Sequence, residues 1–108
     1  MGYDPGLAER VRMLLTHTAF EERRMFGGFA FMVGGHMACG IVDDEVMVRL
    51  GAEGTAEALG RPGIRQMDFT GRPSATMVFL TPAATQDDGF LQTWVSRALA
   101  FTEGLPDK

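Results

Sequence analysis

Apolar residues recur at helical spacing near both ends of the chain. At the start, Asp4-Pro5 is typical of a helix N-terminus, because the Asp side chain can accept hydrogen bonds from free backbone N–H groups and Pro fits the first turn. This helix is predicted over residues 5–17. A second helix is predicted to begin at Asp87 or Asp88 and to end near Glu103. The apolar stripes are Leu7, Val11, Leu14 and Leu15 in the first helix and Leu91, Trp94, Val95, Ala98 and Leu99 in the second.

Between the helices, apolar and polar residues follow the shorter period that is typical of β-strands. Pairs of glycine and aspartate divide this region into strand-sized pieces. Gly27-Gly28 favours a bulge or bend, Gly34-Gly35 favours a tight hairpin, and Asp43-Asp44 favours a second turn. The pattern predicts an antiparallel meander of four strands over residues 20–26, 29–33, 36–42 and 45–50.

The next segment is less regular. A short helix is predicted over residues 55–59, and an ambiguous strand over residues 65–69. A further strand is predicted over residues 76–81, where Pro82 ends it. Together these elements predict a single α+β domain over residues 1–108. Its expected architecture is a two-layer sandwich, in which the N- and C-terminal helices pack on one face of an antiparallel meander sheet.

Side-chain alternation assigns the meander residues to two faces, provided that both hairpins have two-residue turns. Met32 then lies opposite Met37, and Ala30 lies opposite Cys39. The helices are expected to cover the almost wholly apolar face formed by Ala30, Met32, Met37, Cys39, Ile41, Val46, Val48 and Leu50. The second face is expected to contain Phe29, Phe31, Val33, His36, Ala38, Gly40, Val42, Glu45, Met47 and Arg49.

This second face is more apolar than a solvated sheet face usually is. Two interpretations are open. The segment of residues 51–75 folds over the face, or the face contacts a second copy of the chain or another protein. The latter predicts a homodimer or a protein complex. The candidate interaction surface consists of Arg24, Phe29, Phe31, His36, Met47 and Arg49.

Composition narrows the expected partners and compartment. The 108-residue chain has a net charge of −4, which disfavours broad binding to nucleic-acid phosphates. Cys39 is the only cysteine, so no internal disulfide can form, and a cytoplasmic location is expected. The apolar stretches are shorter than the roughly 20 residues that span a bilayer, so no membrane partner is expected.

No constellation of residues predicts catalysis, and the protein is expected to be neither an enzyme nor dependent on a cofactor. His36 and Cys39 stand three positions apart on a strand, so they point to opposite faces and a metal site is disfavoured. Cys39 among apolar neighbours is interpreted as a core thiol rather than a nucleophile. The aspartate pairs already have local roles in turns and helix caps.

Two other binding functions are alternatives. Residues 28–32 partly match an RNA-recognition signature, and Phe29 and Phe31 on an open strand face could stack on single-stranded bases. The acidic charge disfavours this nucleic-acid hypothesis. The other alternative is a small-ligand pocket beneath the segment of residues 51–75.

Four features in order resemble the N-terminal domain of the TfoX/Sxy family, which is associated with regulation of natural competence. They are the motif Met25, Phe26, Gly27 and Gly28, the glycine hairpin at residues 34–35, the acidic turn into a strand that ends at Arg49, and the sequence of residues 79–82 before the last helix. The resemblance spans essentially the whole chain and implies the same two-layer sandwich, without catalytic residues. Full-length relatives have a second domain, so the chain is interpreted as a stand-alone form. Its expected function is that of a non-enzymatic regulatory or protein-interaction module.

Overall fold

A computed structural model describes residues 3–25, 27–68 and 73–106. Helices and strands are interspersed along these residues. The helices are α1 (Pro5–Leu14), α2 (Gly51–Ala58), α3 (Pro82–Thr85) and α4 (Asp88–Glu103). The strands are β1 (Glu21–Met25), β2 (Gly28–Val33), β3 (His36–Val42), β4 (Glu45–Arg49), β5 (Ile64–Asp68) and β6 (Pro73–Leu80).

All six strands belong to one antiparallel sheet, in the order β1-β2-β3-β4-β6-β5. The first four form the predicted meander. After β4 the chain forms α2 and then β5, and β6 returns between β4 and β5, so that β1 and β5 are the edge strands. Buried residues of α1, α2 and α4 share one core with the sheet. The predicted α+β class and its two-layer arrangement are therefore confirmed.

The two long helices begin where the sequence predicts. The Asp4 carboxylate accepts a hydrogen bond from the backbone N–H of Gly6 at 2.9 Å, and Asp87 caps α4 in the same way. α1 ends at Leu14, three residues before the predicted His17. None of the helices in the described ranges is long and apolar enough to cross a membrane.

Two strand and helix starts differ from their predictions, and one short helix is additional. α2 begins at Gly51, four residues early, where the backbone has a φ of +78° that glycine adopts without steric cost. β6 begins at Pro73 instead of residue 76. The short helix α3 was not predicted, although proline at its first position is typical of helix starts. The ambiguous strand is present as β5 at residues 64–68.

The main core lies between the helices and one sheet face, which we call the helix-covered face. The predicted apolar stripe of the last helix is buried there in full. The sheet contributes Phe29, Phe31, Val33, Ala38, Cys39, Ile41, Val46, Val48, Val78 and Leu80, and Leu50 joins them from the start of α2. Phe29 and Phe31 pack edge to face, with ring centroids 5.5 Å apart. The β3–β4 pairing matches the prediction, with Ile41 opposite Val46 and Cys39 opposite Val48.

The prediction that Phe29 and Phe31 lie on the free face is wrong. Met32 does lie opposite Met37, but Phe31 then lies opposite Cys39, so Ala38 is an extra residue in β3. This β-bulge places both Ala38 and Cys39 against the helices. It thereby reverses the assignment of β2: the two phenylalanines point to the helices, and Ala30 and Met32 point to the other face.

Candidate functional site

The second sheet face forms a separate apolar cluster, which we call the methionine face. Its buried members all come from strands, and each is at most 7% exposed. Buried members of the helices belong to the other cluster. Among the described residues, no buried helix residue belongs to this cluster. The methionine face comprises Ala30, Met32, Met37, Met47, Met67, Met77 and Phe79, with Val42 packed at its border.

Gly40 makes room for the centre of the methionine face. Met47 on β4 lies opposite Gly40 on β3, which lies opposite Ala30 on β2. A Cβ at residue 40 would stand 2.8 Å from the Met47 Cε and 2.7 Å from the Phe29 carbonyl oxygen. The two small residues therefore let the long Met47 side chain extend across β3, where it is fully buried.

Charged side chains border the methionine face. Arg65 on β5 donates two hydrogen bonds to the Glu45 carboxylate on β4, at 2.8 and 2.6 Å. Its guanidinium carbon lies 4.7 Å from the centroid of the Phe79 ring, within range of a cation–π interaction. The Glu45 hydrogen bonds raise the pKa of Arg65, so its charge is present at any physiological pH. The Arg65–Glu45 ion pair therefore lies along one border of the methionine face.

Arg49 differs from Arg65 because it has no such partner in the described part of the chain. It stands two residues after Met47 on β4 and opposite Met77 on β6, so it shares the methionine face. Its Nε is buried and has no hydrogen-bond partner among the described residues. Leaving a buried donor unpaired costs about 1–3 kcal/mol. A carboxylate supplied from outside the chain would remove that cost.

A family match decides what kind of domain this is. The TfoX N-terminal domain family matches residues 13–102 of the 108-residue chain. The chain belongs to this family. No curated protein matches it. The motif that suggested the resemblance adjoins the β1–β2 turn: Met25 pairs with Gly28, and Gly27 has a φ of +70°. Phe26 lies outside the described residues.

In this TfoX N-terminal domain, only some residues of the predicted interaction surface lie on the same face of the sheet. Met47 and Arg49 are on the methionine face. Arg24 lies opposite Phe29, and its guanidinium carbon is 5.9 Å from the Tyr3 ring centroid. His36 lies opposite Val33, and its Nε2 is 2.7 Å from the Pro106 carbonyl oxygen. Arg24, Phe29, Phe31 and His36 therefore all belong to the helix-covered side, and their predicted placement on the free face is wrong.

The sequence interpretation missed most of the methionine face. It placed Met32 and Met37 under the helices, because it did not include the bulge. It assigned no face to Met67, Met77 or Phe79, since their strands pair through long-range contacts. One signal was available: the chain has 8 methionines, and Met77 and Phe79 alternate with Val78.

Two kinds of candidate chemistry in the TfoX domain can be judged from the described residues. Burial raises the pKa of the Cys39 thiol to about 12, so it stays protonated at neutral pH and is a poor nucleophile. No group of three His, Cys, Asp or Glu side chains in the described ranges could hold a metal ion. The methionine face is an apolar surface with charged side chains at its border.

The predicted nucleic-acid surface is not present. That hypothesis required Phe29 and Phe31 on an open strand face, where bases could stack on them. Both rings are instead buried beneath the helices, at 9% and 0% exposure. Base stacking on this pair is therefore excluded in the folded domain.

Proposed function

We propose that this TfoX N-terminal domain is a non-enzymatic protein-interaction module and that the methionine face is its recognition surface. The observation that supports this most is a sheet face on which the described apolar cluster comes from strands, beside an arginine whose buried Nε has no hydrogen-bond partner among the described residues. Regulation, the role associated with the family, is the setting that we propose for it. The single buried thiol is in keeping with a cytoplasmic location.

Methionine suits such a surface for a physical reason. Its unbranched side chain has three rotatable bonds and a polarisable sulfur, so a layer of methionines can adapt its shape to a partner. Five methionines meet on this face. Arginine is enriched among the residues that contribute most to binding at protein interfaces. Arg49 would supply the polar anchor. The methionines are at most 7% exposed in the folded chain, so changes of their rotamers would have to open the adaptable contact area.

We further propose that the partner is a second copy of the chain. A twofold homodimer brings the same surface of both copies together, so the one apolar face would serve both sides of the interface. In such a dimer each Arg49 is desolvated by the other copy and needs a carboxylate from it. Glu21 on the edge strand β1 lies opposite Met32 and is 75% exposed, and its ion pair with Arg23 is long, at 3.8 Å, so it could exchange that contact for Arg49 of the second copy.

Charge insertion at two methionines tests the proposal. Met37→Glu introduces a carboxylate into the methionine face, whereas Met13→Glu introduces one on α1, where Met13 is 60% exposed. Sedimentation velocity across the micromolar range should give a concentration-dependent dimer for the wild type and for Met13→Glu. Met37→Glu should be monomeric, because burying an unpaired charge at an interface is costly.

A milder variant separates loss of binding from loss of folding. Arg49→Gln removes the charge and the guanidinium but keeps a polar side chain, and it should weaken the dimer while far-UV circular dichroism stays unchanged. A wild-type chain that stays monomeric throughout would contradict the homodimer. Equal weakening by Met13→Glu and Met37→Glu would contradict the methionine face as the surface.

A further inference from the structure

A groove lies between α2 and the β5–β6 hairpin, on the opposite side of the sheet from the methionine face. Its volume is about 390 Å³, within the range of small-molecule sites. Gln66 faces it from β5, and because Gln66 pairs with Val78 of the main core, the groove lies on the helix-covered side. The helix wall is formed by Ala52, Thr55, Ala56 and Leu59.

The groove results from an irregularity in strand pairing. Asp68 lies opposite Pro73, but Gln66 lies opposite Val78, so four residues of β6 (74–77) face one residue of β5. Ser74 stabilises this bulged segment, because its Oγ accepts hydrogen bonds from the backbone N–H groups of residues 76 and 77, at 3.3 and 3.2 Å. The groove is lined by residues of this bulged segment and of α2.

The lining of the groove is uncharged and mainly apolar. Small residues of α2, Ala52 and Ala56, stand one helical turn apart on its wall. The polar side chains that contribute are an amide, from Gln66, and hydroxyls. A charged ligand would lose its hydration without gaining an opposite charge, so the groove favours an uncharged one.

Thr55 distinguishes this groove from an ordinary surface depression. The domain has three buried threonines in the described residues. The hydroxyls of Thr102 and Thr85 donate to the carbonyl oxygens of Ala98 and Pro82, at 2.8 and 3.0 Å. Thr55 is 2% exposed, and its Oγ1 has no hydrogen-bond partner. A buried hydroxyl is therefore left unpaired beside the groove, whereas Thr85, which lines another depression, is bonded within its own helix.

We propose that this groove binds a small, uncharged, mainly apolar molecule with one amide or hydroxyl group, which pairs with the Thr55 hydroxyl. The Oγ1 is closed to water, and threonine in a helix divides between two χ1 rotamers. Rotation about χ1 turns the hydroxyl toward a ligand, and the apolar body of the ligand packs on Ala52, Ala56 and Leu59. The site stands independently of the proposed protein contact, because it uses the other side of the sheet.

Benzamide is a suitable probe, because it has a flat apolar body and one amide. Titration of the ¹⁵N-labelled protein should shift the amide resonances of residues 52–59 and 74–76, with an affinity in the millimolar range. Benzoate and benzamidinium have the same shape but opposite charges, and each should bind at least about tenfold more weakly. Shifts that occur elsewhere, or equal binding of the three probes, would overturn the proposal.

Two substitutions test the assigned contacts. Thr55→Val removes the hydroxyl at nearly constant volume and should weaken benzamide binding about five- to tenfold. The melting temperature should stay equal or rise, because an unpaired buried hydroxyl is lost; a fall would mean that the hydroxyl is bonded within the fold. Ala56→Leu should fill the groove and abolish binding. Its matched control, Ala100→Leu on the exposed side of α4, should bind normally.

Discussion

The two faces of this sheet are built from different kinds of apolar residue. The helix-covered face is formed by aromatic and β-branched residues such as Phe31, Ile41 and Val48, together with the buried faces of the helices. The methionine face is formed largely by unbranched side chains on strands. Branched side chains have few rotamers and fix one packing arrangement, whereas methionines tolerate several. The comparison teaches that one face specifies the fold and the other stays adaptable.

The largest expected effect belongs to the helix-covered face. Phe31→Ala should lower the free energy of unfolding by about 3–5 kcal/mol, since Phe31 is fully buried and contacts two other aromatic rings. Urea denaturation followed by circular dichroism measures this change. A loss below about 1 kcal/mol would place Phe31 at the surface, and the distinction between the two faces would fail.

An alkaline pH dependence is expected from the same face. Cys39 has a folded-state pKa of about 12, above its ordinary 9.0. The contribution of the protonated thiol to stability is therefore fully present below pH 9 and is lost as the pH rises from 9 toward 12. Near pH 10.5 the loss should be about 2 kcal/mol.

Comparison with Cys39→Ala isolates this effect, because the variant lacks the titrating group. Urea denaturation at several pH values should show the extra alkaline loss in the wild type alone. Parallel pH curves for the two proteins would contradict the burial of Cys39 beneath the helices.

The smallest effect on stability is expected on the methionine face. Met37→Leu conserves volume and should cost less than about 1.5 kcal/mol of unfolding free energy. Self-association should weaken nevertheless, because the branched leucine adapts less well to a partner. Thermal melting and sedimentation of the same sample separate the two quantities. Stability loss with unchanged association would reverse the roles assigned to the faces.

Local signals in the sequence predicted the elements well. Asp4 and Asp87 cap the long helices, and the paired glycines at residues 34–35 both have positive φ, as a tight hairpin needs. These features depend on neighbouring residues, so the sequence contains them directly. The fold class follows from these elements, because the apolar stripes of the two long helices must be buried against one face of the sheet.

The assignment of faces failed at one residue. Because side chains alternate with a period of two, the extra Ala38 in β3 reverses the face assigned to the earlier residues of β3 and to the strands β2 and β1 that precede it. Phe29, Phe31, Arg24 and His36 were misplaced together for this single reason, whereas Met47 and Arg49 lie after the bulge and were placed correctly. Nothing in the identity of an alanine marks a bulge.

Local sequence features did not predict the position of the groove beside Thr55 either. A pocket beneath residues 51–75 was one alternative, but its position depends on which residues of β6 pair with β5. That pairing is set by long-range contacts of the sheet with α2 and β4. Only the three-dimensional arrangement identifies Thr55 as the buried threonine without a partner.

The most direct test of the methionine face uses the methyl groups of the methionines themselves. In a dilution series of protein labelled with ¹³C at the methionine methyls, the resonances of Met32, Met37, Met67 and Met77 should move together with concentration. Met13, exposed on α1, provides an internal control and should stay still. Movement of Met13 while the other four methyls stay fixed, or no movement of any methyl, would contradict the account.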